Sequence, residues 1–393
     1  MMFVKDQSGL ALPTTIIIIL VFTLLGIALF RYSMAETKQV AWDEDNLRAH
    51  YLARSGADSV AAHLIKNPDD AEMLINQESG RVNLGEGQFW VFVTGDPDDE
   101  VHIQSTGNVG QAEQTVVLTL ADDGPPAIYS TGLVTVSGNF LLSKGDLSFK
   151  DSIVNPGGQE LDINDVIDNH LEDGEVYQQD LTMDPVVLPC EDNSEGAPFY
   201  GTCPTEAMSI NSNEISVSGY YGSISLKPND PELLIKSQDD SDMLVKVDDI
   251  SIGKMKVELN NNIIALVTDD FNVSNNGHME VSGNGYLLIY VQGEYYGRGT
   301  FKVDPDSDAN TIVFVGADGS FDLSGNTNFD GAVYAPDATV SISGNVTVNG
   351  WIIGSGVELD GNSKMQYDST VSFPPGLFLD FKFYRVEKYR YEY

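Results

Sequence analysis

Apolar residues run without a charge from Leu10 to Phe30, among them Ile16, Ile17, Ile18, Ile19, Leu20, Val21, Phe22, Leu24, Leu25, Ile27 and Leu29. About 20 such residues at a rise of ~1.5 Å cross a hydrocarbon layer ~30 Å thick. A single segment satisfies its backbone there only as a helix. The pattern therefore predicts a transmembrane helix over 10–30, with Arg31 and Tyr32 as an interfacial stop. A cleaved secretory signal would have a shorter apolar stretch, of about 7–15 residues, followed by a small-residue cleavage site. Here the helical pattern continues instead. Val40, Leu47, Tyr51, Ala57 or Ser55, Val60, Ala61 and Leu64 recur at three- and four-residue steps, with Glu36, Lys38, Asp43, Glu44, Arg48, Arg54 and Asp58 over much of the rest. That spacing predicts an amphipathic continuation over 31–66, ended by Asn67-Pro68 because the residue before proline leaves the helical region.

The period then drops to two. Val82 and Leu84, Gln88 to Val93, Val101 to Ser105 and Thr115 to Leu120 read as strands separated by Gly, Asp and Pro turns. A small sheet over 69–124, packed on the amphipathic half of the helix, would bury both apolar faces. Asp122-Asp123-Gly124-Pro125-Pro126 closes it as a linker.

From about 127 short β-branched runs are cut by a recurring triplet: Ser137-Gly138-Asn139, Ser282-Gly283-Asn284, Ser324-Gly325-Asn326, Ser343-Gly344-Asn345 and Asp360-Gly361-Asn362. Gly325 to Gly344 is 19 residues and Gly344 to Gly361 is 17. That period matches one coil of a solenoid. It predicts a right-handed parallel β-helix over 125–376, with Val333, Ile342, Val346, Val348, Ile352 and Leu359 inward and Gly and Asn at corners that need left-handed dihedrals. Residues 160–240 are poorly periodic and read as a loop insertion with a short helix near Asn164–Leu171; 377–393 is an aromatic tail. The fold class expected is α+β and mainly β.

Charge narrows the functions. The net charge of −38, from 59 acidic and 21 basic residues, argues against nucleic acid, which rewards basic surfaces. The two cysteines, Cys190 and Cys203, lie close together in a polar loop; outside the cytoplasm they are expected to pair, with two free thiols as the alternative. The five histidines form no metal motif, and no nucleophile elbow, phosphate loop or dinucleotide fingerprint is present. No cofactor and no enzymatic activity are expected. Calcium is the one candidate ligand: Asp304, Asp306 and Asp308, followed by Asn310, alternate as hard-oxygen ligands do. The loop is not an EF-hand, because Ala309 stands at its sixth position and Val315 at its twelfth. Tyr220-Tyr221, Tyr290, Tyr295-Tyr296 and the tail from Phe378 to Tyr393 offer aromatic surface for a glycan or protein partner, or core.

Gln7-Ser8-Gly9 directly before Leu10-Ala11-Leu12-Pro13 and the apolar run resembles a prepilin-type signal. Tyr51-Leu52-Ala53-Arg54-Ser55-Gly56-Ala57-Asp58 is similar to a stretch of PilX-type minor pilins and K-type pseudopilins. The stretch from Phe329 to Pro336, with Gly350-Trp351-Ile352-Ile353-Gly354 and Tyr367-Asp368, resembles the β-helical C-terminal domain joined to such N-termini in bacterial envelope proteins. The first resemblance covers about residues 1–66. It implies a leader over 1–9, cleavage by a prepilin peptidase between Gly9 and Leu10, methylation of the new N-terminus and other pilin or pseudopilin subunits as partners. It also implies a single pass of the cytoplasmic membrane before assembly, with the bulk of the chain outside and destined for a surface filament. Bulk pilins carry Glu at the fifth mature position; Thr14 stands there instead, which points to a minor, tip-located subunit of a type IV pilus or secretion filament, exposing its β-helix for surface contact. A membrane-tethered carbohydrate-binding or carbohydrate-active β-helix is the alternative. A cytoskeletal polymer, with the domain in the cytoplasm, is a third.

Overall fold

A computed structural model describes residues 11–96, 100–122, 124–181, 183–189, 206–210, 213–374 and 384–392. The chain divides into two compact units, one of residues 1–64, 70–121 and 385–393, the other of 65–69 and 122–384.

The first unit opens with one helix, Ala11–Lys66, of 56 residues. Thr23 and Thr37 return their hydroxyls to the Ile19 and Ser33 carbonyls (2.7 and 2.8 Å), so these polar side chains cost the apolar segment no unsatisfied group. Strands Val82–Leu84, Gly87–Gly95, Glu100–Val109 and Ala112–Asp122 form an antiparallel meander, and Tyr384–Glu392 adds a fifth strand beside the last. The tail thus includes a sheet strand. Alternation puts Val91, Val93, Val101, Ile103, Val116, Leu118 and Leu120 inside.

The helix meets this sheet through small residues. Ala49, Ala53, Ala57, Ala61 and Leu64 are buried, at steps of four and three, whereas Val40, Leu47 and Tyr51 are exposed. The expected apolar stripe is therefore corrected in its first half. A side-chain carbon on Gly107 would overlap the Ala49 carbonyl and crowd the Ala53 amide. Backbone approaches backbone there, and only alanine and glycine leave room.

The second unit is a parallel β-solenoid of about nine turns. Each regular coil contributes three short strands to three faces. In one coil these are Val333–Ala335, Thr339–Ile342 and Asn345–Asn349, which pair with Ile352–Gly354, Gly356–Leu359 and Lys364–Gln366 of the next. All six expected inward positions lie in the buried core. Aromatic rings stack inside it: Phe271 on Tyr295 (5.1 Å) and Tyr295 on Phe321 (4.5 Å).

The stacking order is not the chain order. The coil at 352–366 pairs with 128–144, near the start of the unit. From there one branch continues through 147–154 to 176–178. The other runs back through 333, 313, 289, 266 and 245 to 214–225. Helix Ile163–His170 lies where a helix was expected, capped by Asp162 accepting from the Asn164 amide. The surrounding insertion, however, contains coil strands: Val176–Gln178, Glu214–Ile215, Gly219–Tyr220, Ile224–Ser225 and Leu233–Lys236. Their spacing is irregular (Gly219 pairs with Val245, Val245 with Leu266), which hid the period.

Candidate functional site

Three surfaces bear on function. The first is the apolar half of the helix. Its membrane-length window has a mean hydropathy of 2.3 and is 0% buried. Every residue from Thr15 to Glu44 is exposed, including Phe22, Leu29 and Phe30. Among the described residues this is one helix long and apolar enough to cross a membrane. Burying such a surface in water-free surroundings is favourable by ~25 cal/mol per Å². Beyond it, Val40, Leu47 and Tyr51 continue an exposed apolar line on the side away from the alanines. Arg48 bridges Glu44 and Glu86 beside that line (2.7 and 2.6 Å). Gly9, Leu10, Cys190 and Cys203 lie outside the described residues, as does the side chain of Thr14, whose backbone is in the first turn of the helix.

The second surface is a solenoid corner built by the triplets. Gly325, Gly344, Gly361 and Gly138 stack with φ of +80°, +90°, +77° and +68°. The adjoining asparagines form a ladder: Asn139 Nδ2 donates to Asn362 Oδ1 (2.9 Å), Asn362 to Asn345 (3.2 Å) and Asn345 to Asn326 (3.0 Å). The glycines alone take the left-handed dihedral in these triplets; the asparagines supply the ladder. Asp360 accepts from the Ser137 hydroxyl and the Gly361 amide (2.6 and 2.7 Å). The Ser137 bond first, and the Gly361 amide second, hold its carboxyl below the usual carboxylate range.

The third is a cleft of about 770 Å³ at another corner of the solenoid, and it contains two of the calcium candidates, Asp304 and Asp308. Residues 304–310 extend one turn beyond the single glycine that makes the corresponding corner at Gly331 and Gly350. Asp304 Oδ1 accepts the Asp306 amide (3.0 Å), and its carbonyl accepts from the Ser307 amide and hydroxyl (3.0 and 2.7 Å). The alternating carboxylates thus shape a turn. Among the described residues no group of three or more His, Cys, Asp or Glu side chains gathers as a metal site, so Asp304, Asp306 and Asp308 are not brought together as ligands.

The histidines are dispersed. His63 pairs with Asp70 (2.7 Å), His102 Nδ1 with the Thr119 hydroxyl (3.2 Å), and His170 Nδ1 with the Phe140 carbonyl (2.9 Å). The expected aromatic surface is divided. Tyr290 and Tyr295 are core, and burial pushes both hydroxyls up; Tyr296 carries Arg298 over its ring at 4.5 Å. Burial also pushes the Tyr129 hydroxyl up to about 12. It donates to the Gln179 and Leu181 carbonyls and accepts the Leu181 amide. Sequence reasoning missed the cleft, whose walls come from 303–311 and 366–371, far apart in the repeat pattern.

Residues 245–372 match a family described as a domain of unknown function, DUF7305. Among curated proteins no match is found. The competence-associated pilin ComZ from Thermus thermophilus aligns over 88% of this chain and 98% of its own, at 9% identity and a TM-score of 0.28. The DUF3494 domain of an ice-binding protein from Shewanella frigidimarina aligns over 62% and 94%, at 15% identity and a TM-score of 0.23. Similarity at these scores carries no argument about function.

Proposed function

We propose that this chain is a pilin-like subunit, anchored in the membrane before assembly, that carries a β-solenoid outside the cell as a minor component of a type IV pilus or secretion filament. The observation that carries the reading is the division of one continuous helix. Residues from Thr15 to Glu44 are exposed and mostly apolar, while Ala49, Ala53, Ala57 and Ala61 seat the same helix on a sheet. A helix built only to anchor a domain needs no rigid continuation. One that first spans a membrane and then packs among other helices gains from it, because a 56-residue rod of about 1.5 Å per residue transmits position from the apolar end to the folded end. Thr14 fits a subunit in few copies: a buried carboxylate needs a partner, and a neutral hydroxyl can bond the carbonyl one turn back. The role is structural rather than enzymatic.

N-terminal sequencing of the protein from cells with an active prepilin peptidase tests the reading. The mature chain is expected to start at Leu10. An intact Met1, or cleavage beyond Phe30, overturns it. Labelled solenoid distributed evenly along filaments would overturn the few-copy reading while leaving the subunit assignment in place.

A further inference from the structure

The outer side of the small sheet has the chemistry of a binding site that the filament reading does not use. Strands Gly87–Gly95 and Glu100–Val109 pair antiparallel, with Trp90 opposite Thr106 and Phe92 opposite Gln104. Alternation sends Val91, Val93, Ile103 and Ser105 into the core, so Trp90, Phe92, Gln104 and Thr106 stand on the other side. A sheet packed on one face normally turns polar residues outward on the other. Two large aromatic rings at alternate positions of one strand break that rule. Water reaches this face: Gln104 is exposed, and Trp90 and Phe92 are partly so.

The segment before the sheet supplies a rim. Asn76 donates its amide to the Val93 carbonyl (2.8 Å) and Ser79 its amide to that of Val91 (2.7 Å), while the Ser79 hydroxyl accepts the Val91 amide (2.8 Å). These bonds lay the segment along the strand and bring Glu78 opposite Phe92. Arg81 holds its guanidinium 4.9 Å from the centre of the Trp90 ring, a cation–π contact that fixes this ring. On the far side the Thr106 hydroxyl bonds that of Thr115 (3.0 Å). Glu78, Trp90, Phe92, Gln104 and Thr106 together line a hollow of about 300 Å³, at the lower end of the range for small-ligand sites.

Two features point to the ligand. The first is the pair of rings, which offer apolar area to whatever enters. The second is what borders them. Glu78 and Gln104 flank Phe92 on its two sides in one row across the sheet, and both are exposed. Neither side chain has a hydrogen-bond or ion-pair partner among the described residues. Directly opposed residues stand ~4.5–5.5 Å apart at Cβ, so a carboxylate and an amide border the ring closely. A pyranose whose substituents are all equatorial is built to match: its faces carry only C–H groups and its rim carries hydroxyls. We infer that this hollow binds a neutral saccharide of such pyranoses, stacked on Phe92 and Trp90 and hydrogen-bonded through its hydroxyls to Glu78 and Gln104. A proline-rich peptide, another ligand of aromatic grooves, lacks an N–H at each proline and would leave the Glu78 carboxylate unmet. An anionic sugar would bring like charge to Glu78 in a chain of net charge −38.

The test is titration calorimetry on the full chain in a phosphocholine detergent, whose headgroup carries no sugar. The ligands are the β-1,4-linked tetramers of glucose and of N-acetylglucosamine; the controls are a uronic-acid tetramer and an oligoproline. At least one neutral tetramer is expected to bind about tenfold or more tightly than both controls. Gln104→Ala and Glu78→Ala, exposed changes that remove no side-chain bond within the protein, should each weaken that binding about three- to tenfold. Phe92→Ala should weaken it by about tenfold or more, and Phe92→Tyr, which keeps the ring, should restore it. Absence of binding by both neutral tetramers at about 10 mM, tenfold above a Kd of ~1 mM, overturns the inference. A control that binds as tightly also overturns it. So does unchanged affinity in Gln104→Ala or Glu78→Ala, since the saccharide would then sit elsewhere on the chain. The measurement depends neither on cleavage at Gly9 nor on assembly, so this inference and the filament reading fail separately.

Discussion

Gly361→Ala probes the glycine corner most directly. Gly361 has φ of +77°, and a side-chain carbon built on it lies 2.6 Å from both the nitrogen and the oxygen of Gly344 and 2.9 Å from its Cα. Carbon atoms in contact sit at ~3.5–4.0 Å, and every atom in the way is backbone, so no rotamer relieves the overlap. Two costs add. A left-handed dihedral in an L-residue costs roughly 1–2 kcal/mol. Overpacking that displaces backbone costs typically ~1–3 kcal/mol. The sum is about 2–5 kcal/mol. Gly158 supplies the control: its φ is +75°, and nothing lies within 4 Å of the same carbon, so Gly158→Ala carries the dihedral cost alone. Both variants can be followed by denaturant unfolding of the full chain in detergent, read by fluorescence of Trp351, which is 0% exposed and donates to the Val371 carbonyl (3.0 Å), with Trp42 and Trp90 replaced by Phe. Gly361→Ala should lose about 1–3 kcal/mol more than Gly158→Ala. Equal losses would show that the stacked corners have room, and the argument for glycine at this corner would collapse.

The asparagine ladder makes a graded prediction. Asn362→Ala removes two side-chain bonds and Asn326→Ala one, at about 0.5–1.5 kcal/mol each, so the first should lower the unfolding midpoint about twice as far; equal shifts would deny the ladder a role. Alkaline pH gives another. Burial raises the hydroxyls of Tyr129, Tyr290, Tyr295 and Tyr334 in the folded state, while the unfolded value is about 10. A raised folded pKa means that this stability is fully present below pH ~10 and is lost as pH rises above it. Absorbance titration should therefore show tyrosines that ionise only as the solenoid unfolds; complete reversible ionisation near pH 10 with the near-ultraviolet circular dichroism intact would contradict the burial.

The membrane-length helix was legible because an uncharged run from Leu10 to Phe30 has few alternative fates. Its seat on the sheet was legible only in its second half, at Ala57, Ala61 and Leu64; in the first half a search for large apolar residues selects Val40, Leu47 and Tyr51, and those are exposed. The contact instead uses Ala49, Ala53 and Gly107, which carry little hydrophobic signal and matter by being small. In the solenoid the triplets announced the corner, since a stacked left-handed corner admits glycine in coil after coil. Coils over 214–236 lack the triplet and vary in length, and so read as insertion. The cleft combines a longer corner at 304–310 with a segment after the last coil, and no local pattern couples the two. The triplet alone does not place a coil: Ser137-Gly138-Asn139 and Ser343-Gly344-Asn345 share one asparagine ladder, whereas Asn284 of the identical Ser282-Gly283-Asn284 accepts the Asp308 amide instead (3.4 Å).

That ladder explains why one face of the solenoid reads differently from the others. The last coil pairs along its strands with an early one, a junction that the Asn139–Asn362 bond shares, so the chain must leave the stack after 176–178 and re-enter it at the opposite end near 214. On the way Leu181, Met183, Val186 and Leu188 lie on the outside of the face that holds Tyr129, Tyr290, Phe314, Tyr334 and Ile353, joined there by Val371 and Phe373. Tyr334 donates to the Asp184 carbonyl (2.5 Å), and Trp351 to that of Val371. Strands covered on both sides have no reason to alternate. They read as continuous runs: Leu287 to Val291, Ile312 to Val315, Ala332 to Ala335 and Trp351 to Ile353. The other two faces alternate, as in Phe271-Asn272-Val273 and Val346-Thr347-Val348, with the polar member outward. Closing the last coil on an early one also removes a bare sheet edge from the middle of the stack, where an unpaired strand would template aggregation. Stacking out of chain order, the covering segment and the unbroken apolar runs are thus one structural solution, and the runs are its trace in the sequence.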